Sequence, residues 1–273
     1  MKPIMPYIIK DNQAGFIQNR ISTDNVLLAN EILQHSRKAS KFKLLYVKLD
    51  IKKAFDSVSR EFLIARMVQK GFPNMFVRWI YACIKDVWFF LCIDGALEGL
   101  FSSKFGLRHG CPLSPYLFSI VMDALSCLLD CNLHENSFEA LSVGNYRLSH
   151  LMYVDDLILF GKADLNNYDK LSQTLKDFSL ATGLNVNFGK SSIILPHNCV
   201  IADNICTSLN ITNTSSSMNY LGMPLSPYNP KLANFSQLLE SVIKTLSGWK
   251  AKALSFAGRL QFLRYTIWNT IAY

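Results

Sequence analysis

Three aspartates carry the clearest chemical signal in this chain: Asp50, which ends the apolar run Leu44–Leu49, and the adjacent pair Asp155 and Asp156. Carboxylates converging from different strands can hold two divalent cations roughly 3.5–4 Å apart, an arrangement that activates an attacking hydroxyl and neutralises a departing phosphate. Magnesium suits such a site, because it takes one or two carboxylates and completes its shell with substrate oxygens and water. A bare Asp-Asp pair is ordinarily a solvated turn. This pair is different because apolar arms, Leu148–Val154 and Leu157–Phe160, stand on either side of it. Two adjacent acids within a buried hairpin repel each other unless a cation neutralises them.

The elements that must position these acids can be read from periodicity. Leu44–Leu49 has the pattern of a buried strand delivering a carboxylate at its end. The two apolar arms predict a β-hairpin with acids at its tip. A helix is expected over Asp24–Arg37 behind Ser22, another after Ser59 ending at Gly71 and Pro73, and a third from Asn74 to about Asp86. Phe89–Ile93, Asp94-Gly95 and Leu100–Phe105 predict a second hairpin. Ser114-Pro115 is an expected N-cap and first-turn pair, opening a helix with Phe118, Val121, Met122, Leu125 and Leu129 on one face. Asn132 to Asn145 is expected to be loop. Leu171, Leu175 and Phe178 form a helical stripe ending at Gly183. A short strand at Ile193–Leu195 leads into a polar connection reaching Ser217. Tyr220–Leu225 follows as a hairpin arm, and a basic helical tail runs from Lys231.

Composition narrows the class. The 273 residues are 50% hydrophobic and 18% charged, a globular balance with room for a sizeable core. A net charge of +8 suits a polyanionic partner but is shared by many proteins without one. The seven cysteines form no Cys-x-x-Cys pair and read as small buried hydrophobes in a reducing, intracellular setting. No apolar opening segment follows Met1-Lys2-Pro3, and the apolar stretches are expected to fall short of a membrane span, Tyr116–Leu129 being broken by Ser119 and Asp123.

Six blocks, in order, resemble the reverse transcriptase domain of non-LTR, LINE-type retrotransposons, especially those of plants. They are Gln13–Ile17 with Arg20, Leu49–Val58, Gly106–Pro115, Tyr153–Asp156, Gly183–Asn187 with Lys190-Ser191, and Tyr220-Leu221-Gly222. The resemblance implies an α+β right-hand polymerase fold: partial fingers over 1–48, a palm with a fingers insertion over 49–225, and a thumb-like helical segment over 226–273. It implies an RNA-directed DNA polymerase that adds dNTPs to a DNA primer on an RNA template, using two Mg2+ ions with Mn2+ as a possible substitute. Asp50 and Asp155 would be the principal metal ligands, supported by Asp156 and the Ile51 carbonyl.

Phe55 stands where the family places its steric gate against ribose, although core packing explains a phenylalanine equally well. The resemblance puts Arg20, His109, Gly110 and Lys190 at the nucleotide, with Lys48 a further candidate for phosphate or template. Lys190 would protonate pyrophosphate, or is simply a solvated lysine. Tyr220-Leu221-Gly222 would grip the primer, and Trp249–Lys252, Arg259, Arg264 and Tyr265 would belong to the thumb. The family carries Gln where His109 stands, and neither endonuclease nor RNase H motifs accompany these blocks. A viral RNA polymerase fits worse, since its second aspartate would fall where Phe55 stands. A catalytically silent nucleic-acid-binding remnant of a retroelement is the alternative reading.

Overall fold

The computed structural model describes residues 1–38, 44–135, 138–143, 146–195, 202–228, 235–247 and 253–267. Its centre is a four-stranded antiparallel sheet in the order β6-β7-β1-β8, built from β1 (Leu44–Leu49), β6 (His150–Tyr153), β7 (Asp156–Lys162) and β8 (Ser192–Ile194). β1 pairs with β7 along its whole length and with β8 over Tyr46–Lys48, so it is a central strand and largely apolar.

Alternation along the strands sorts side chains to two faces. Leu45, Val47 and Leu49 of β1, with Leu157 and Leu159 of β7, pack on the helices α3 (Arg60–Gln69), α5 (Ser114–His134) and α6 (Leu165–Thr182). Leu44 and Tyr46, with Ile158 and Phe160, face the opposite way, onto Ala29, Ile32 and Leu33 of α2 (Ser22–Lys38). The hairpin β9 (Met218–Tyr220) and β10 (Met223–Leu225) closes that second face.

Most expected elements form near their predicted places. Ser59 caps α3, its Oγ accepting from the Phe62 N–H at 3.2 Å. Gly183 ends α6 in the left-handed conformation at φ 79°. The hairpin β2 (Val87–Ile93) and β3 (Ala96–Ser103) turns at Asp94-Gly95 as expected, with the return strand starting earlier.

Four expectations are corrected. Ser114 is not a side-chain cap: its hydroxyl donates to the Arg108 carbonyl at 2.7 Å, and Leu113 holds the N-cap position. The stretch 132–145 is less loop-like than its polarity suggests, since α5 runs to His134 and β4 covers Leu141–Val143. Within the polar connection, α7 (Ala202–Leu209) forms because Ile205 and Leu209, on one helical face, are buried. Finally, α5 is long and apolar enough, by length and composition, to cross a membrane; here it is the core helix, with 67% of its apolar window buried. In the tail, α8 (Ser236–Ser247) and α9 (Phe256–Phe262) are helical as expected. Trp249–Lys252 lies outside the described residues.

Candidate active site

Strand register brings the acids together. Leu49 pairs with Leu157 at the end of the β1–β7 ladder, so the next residues, Asp50 and Asp156, stand side by side. In the hairpin Tyr153 pairs with Asp156, leaving Val154 and Asp155 as its two-residue turn. The acids thus come from two chain segments joined by one hydrogen-bonded ladder.

Asp50 is held by its backbone: its N–H donates to Ser191 Oγ at 3.2 Å and its carbonyl accepts from the Asn187 N–H at 2.7 Å. The Lys52 N–H donates to the Asn185 carbonyl at 2.8 Å, and the intervening Ile51 forms an antiparallel bridge with Val186. In such a bridge the flanking residues make the bonds, so the Ile51 carbonyl is turned away from Val186.

The hairpin tip is strained. Val154 adopts φ 58°, a region that penalises β-branched side chains. What holds it there is Gln13, fully buried, whose side chain bonds both backbone groups of Val154. Its Oε1 accepts from the Val154 N–H at 3.1 Å and its Nε2 donates to the Val154 carbonyl at 3.3 Å. The same Oε1 accepts from the Gly15 N–H at 2.9 Å. A Cβ on Gly15 would lie 2.4 Å from the Val154 nitrogen, so only glycine fits beneath the turn. The segment 12–14 also runs beside β6, with the Met152 N–H donating to the Asn12 carbonyl and the Ala14 N–H to the Met152 carbonyl. In the sequence Gln13 and Gly15 stand out only as part of a matching block. Nothing local in the chain signals their role, because their partner lies across the fold.

Burial pushes the Asp155 carboxyl above its ordinary value, and the neighbouring Asp156 and Asp50 push it the same way, against its own backbone hydrogen bond and Lys48. Clustered hard oxygen donors whose charges repel suit a hard divalent cation. Among the described residues, no three carboxylate, imidazole or thiol groups are arranged to hold an ion unaided. The carboxylates present fit an ion whose shell is completed by substrate oxygens and water.

The acids open onto a cleft of about 1230 Å³, whose lining includes Asp50, Asp155, Phe55, His109, Lys176 and Lys190. Phe55 is half-buried and stacks on Phe118 of α5, with ring centroids 4.7 Å apart. The His109 ring lies tilted against that of Phe55 at 5.3 Å, and its Nε2 is 3.1 Å from Asp56 Oδ1. The ring of Phe55 is thus both packed and cleft-lining. Gly110 has φ 78° and open space around its Cα, so its conformation calls for glycine while no packing contact does.

Tyr220 is buried, and Leu221 and Gly222 make the positive-φ turn of the β9–β10 hairpin. Arg20 is corrected: its terminal nitrogens donate to the carbonyls of Lys10, Gln13, Pro6 and Ile9, and also to Asp11 Oδ1. With both terminal nitrogens so engaged, Arg20 buckles the N-terminal segment instead of facing the cleft. Lys48 also differs from expectation, pairing with Asp156.

The family model for reverse transcriptase (RNA-dependent DNA polymerase) matches residues 1–225. This chain belongs to the reverse transcriptase family. It is 28% identical to a transposon TX1 uncharacterized 149 kDa protein of Xenopus laevis, over all of this chain and 21% of that protein. It is 32% identical to the Pol polyprotein from the type-2 retrotransposable element R2DM of Drosophila melanogaster, over 65% of this chain and 16% of that protein. The chain therefore spans about a fifth or less of the length of these relatives. Both agree with the LINE-type resemblance of the motifs. Among solved structures, telomerase from Candida albicans with a fragment of telomeric RNA aligns at TM-score 0.55 and 16% identity, covering 85% of this chain and 39% of that one. Apo telomerase from Candida tropicalis, truncated from its C-terminal domain, aligns at 0.56, also 16% identical, over 79% and 39%. This reverse transcriptase chain has the right-hand polymerase fold.

Proposed function

We propose that this chain is the polymerase core of a non-LTR retroelement, extending a DNA primer on an RNA template with dNTPs. The observation carrying this reading is the ladder end at Leu49 and Leu157, which sets Asp50 beside the Asp155-Asp156 turn at the mouth of the cleft. Asp50 and Asp155 would hold two Mg2+ ions, or Mn2+ in their place, with the Ile51 carbonyl as a further donor and Asp156 in support. Bound there, the ions would activate the primer 3′-hydroxyl and neutralise departing pyrophosphate.

The chain's own residues supply shape and placement. Phe55, stacked on Phe118 with His109 tilted against it, closes the space where a ribose 2′-hydroxyl would sit, favouring deoxynucleotides. The open space at Gly110 admits the nucleotide. Lys190, exposed at the cleft, stands ready for the phosphates. The turn Tyr220-Leu221-Gly222 faces the primer side, and 226–273 serves as the start of a thumb, with residues 1–48 as partial fingers. His109, where the family carries Gln, would meet the nucleotide from beside Phe55.

The test is primer extension by the purified, folded chain on poly(rA)/oligo(dT) with dTTP and Mg2+. Extension of the oligo(dT) is the expected result. Hybrid binding without any extension would overturn the polymerase reading in favour of a silent nucleic-acid-binding remnant.

A further inference from the structure

Lys48 sits in β1, on the sheet face shared with Tyr46, and its side chain is 21% exposed. Its ammonium lies 3.1 Å from Asp156 Oδ1. The same ammonium donates to the backbone carbonyl of Asn219 at 2.9 Å. Asn219 belongs to β9, directly before Tyr220. One cation thus spans from the second acid of the catalytic hairpin to the backbone of the hairpin proposed to seat the primer.

A second fastening runs in parallel. Asn25 Nδ2 donates to the Met152 carbonyl in β6 at 2.9 Å and to the Tyr220 hydroxyl at 3.3 Å. Asn25 is buried, and burial pushes the Tyr220 phenol well above its ordinary pKa, so the hydroxyl stays protonated. The β9–β10 hairpin is therefore tied to both strands of the catalytic hairpin, to β6 through Asn25 and to β7 through Lys48. The Asn25 tie is neutral and lies in the second core. The Lys48 tie is ionic and ends on a carboxylate beside Asp155 and Asp50.

This arrangement assigns different work to the two adjacent acids. The Asp156 carboxylate is paired directly with the Lys48 ammonium, whereas Asp155 makes no such pair among the described residues. An ammonium has three donors, and two of those on Lys48 are directed at Asp156 and Asn219. Lys48 bridges two hairpins, so a template or triphosphate would have to compete with Asp156 and Asn219 for its ammonium.

We propose that Lys48 is a positioning residue that couples the seat of the primer terminus to the catalytic carboxylates, by holding Asp156 and the Asn219 backbone on one ammonium. This rests on the polymerase reading above. Arginine could keep the charge but not the point-like geometry that serves two acceptors in different directions. Methionine keeps the length of the stem and removes both bonds.

The experiment compares wild type, Lys48→Met and Lys48→Arg in steady-state primer extension, with thermal unfolding as a check on folding. For Lys48→Met, kcat should fall and the KM for primer–template should rise, each by roughly tenfold, as expected for loss of charge-assisted bonds. The KM for dTTP should stay within twofold of wild type, and Lys48→Arg should lie between the two. In an Asp156→Asn background, Lys48→Met should add little, because the bridge has already lost its charge partner. A rise in the KM for dTTP alone would show that Lys48 meets the triphosphate and would overturn the proposal. So would a lowered melting temperature with both KM values and kcat unchanged. Should Lys48→Met fail to fold, Lys48→Arg decides: wild-type kinetics in that variant would sink the coupling. An inactive wild type would sink the polymerase reading and this inference with it, whereas an active wild type with unchanged variants would sink only the inference.

Discussion

Asp123 and Asp155 are both carboxylates withdrawn from water, and the fold treats them in opposite ways. Asp123, in the middle of α5, is fully buried. Its Oδ2 is 2.9 Å from Arg66 and 2.6 Å from Lys70, and its Oδ1 accepts the Lys10 backbone N–H at 3.0 Å. Burial alone would raise its pKa, but Lys70, the Lys10 N–H and Arg66 outweigh it and hold the carboxyl below its ordinary value. Asp155 has no comparable set. Burial raises its pKa and the two neighbouring aspartates raise it further. One carboxylate is complete within the chain and fastens the N-terminal segment to α3 and α5. The other has its charged form disfavoured by the fold, as the cation site proposed for it would require.

The largest effect that could break this contrast is on chemistry. Asp155→Asn or Asp50→Asn should reduce primer extension by about a thousandfold or more, as for loss of a charge that acts on the reacting centre. Both variants should fold, with far-ultraviolet circular dichroism unchanged. Extension near the wild-type rate from either would remove these acids from the site. Asp123→Asn should do the reverse. It leaves Arg66 and Lys70 buried without their counter-charge, at a cost of about 3–5 kcal/mol by urea unfolding. Any lost activity should then track the fraction unfolded.

The smallest effect is the most diagnostic, because the two acids should respond to pH with opposite signs. Asp123 has a depressed folded pKa, so its stabilisation is present above the ordinary carboxylate value and is lost as pH falls through the lower folded one. Asp155 has a raised folded pKa, so its burden is absent at low pH and is fully imposed once pH exceeds that raised value. Without divalent ions, Asp155→Asn should match wild-type stability in acid and exceed it at neutral pH. Mg2+ should stabilise the wild type, by about 2.7 kcal/mol at a hundredfold excess over its Kd, and should not stabilise Asp155→Asn. Identical pH profiles for the two proteins, measured by chemical denaturation, would erase the distinction.

What the sequence revealed follows the same divide between local and distant causes. Asp50 was legible because a short apolar run ends on it, and the hairpin because apolar arms enclose two acids. Both signals lie within a few residues of the group they describe. Periodicity also found the face of α5, while the sequence alone treated Asp123 as a mere interruption of that apolar run, since its partners come from α3 and the N-terminal segment. Arg20 looked like a phosphate ligand for the same reason. An arginine in a matching block carries no mark of the carbonyls that will surround it, and here it binds the backbone of residues 6–13. The helix α7 was hidden by its polar composition, its burial resting on Ile205 and Leu209 alone among larger apolar groups. Lys48 was visible as a charge in a strand, but only the register with β7 and the docking of β9 give it two acceptors.

The clasp of Gln13 on Val154 bears on how this chain reaches its native state. A turn that its own residues disfavour cannot close early as an independent hairpin. It must wait for a segment from the far end of the chain to dock beside β6, a contact of high sequence separation whose loop-closure entropy falls due late. The last part of the palm to become ordered would then be the turn that carries Asp155. Trimming the chain through Gln13 would leave Asp50, Asp155 and Asp156 in the sequence and remove the clasp that sets the turn between them.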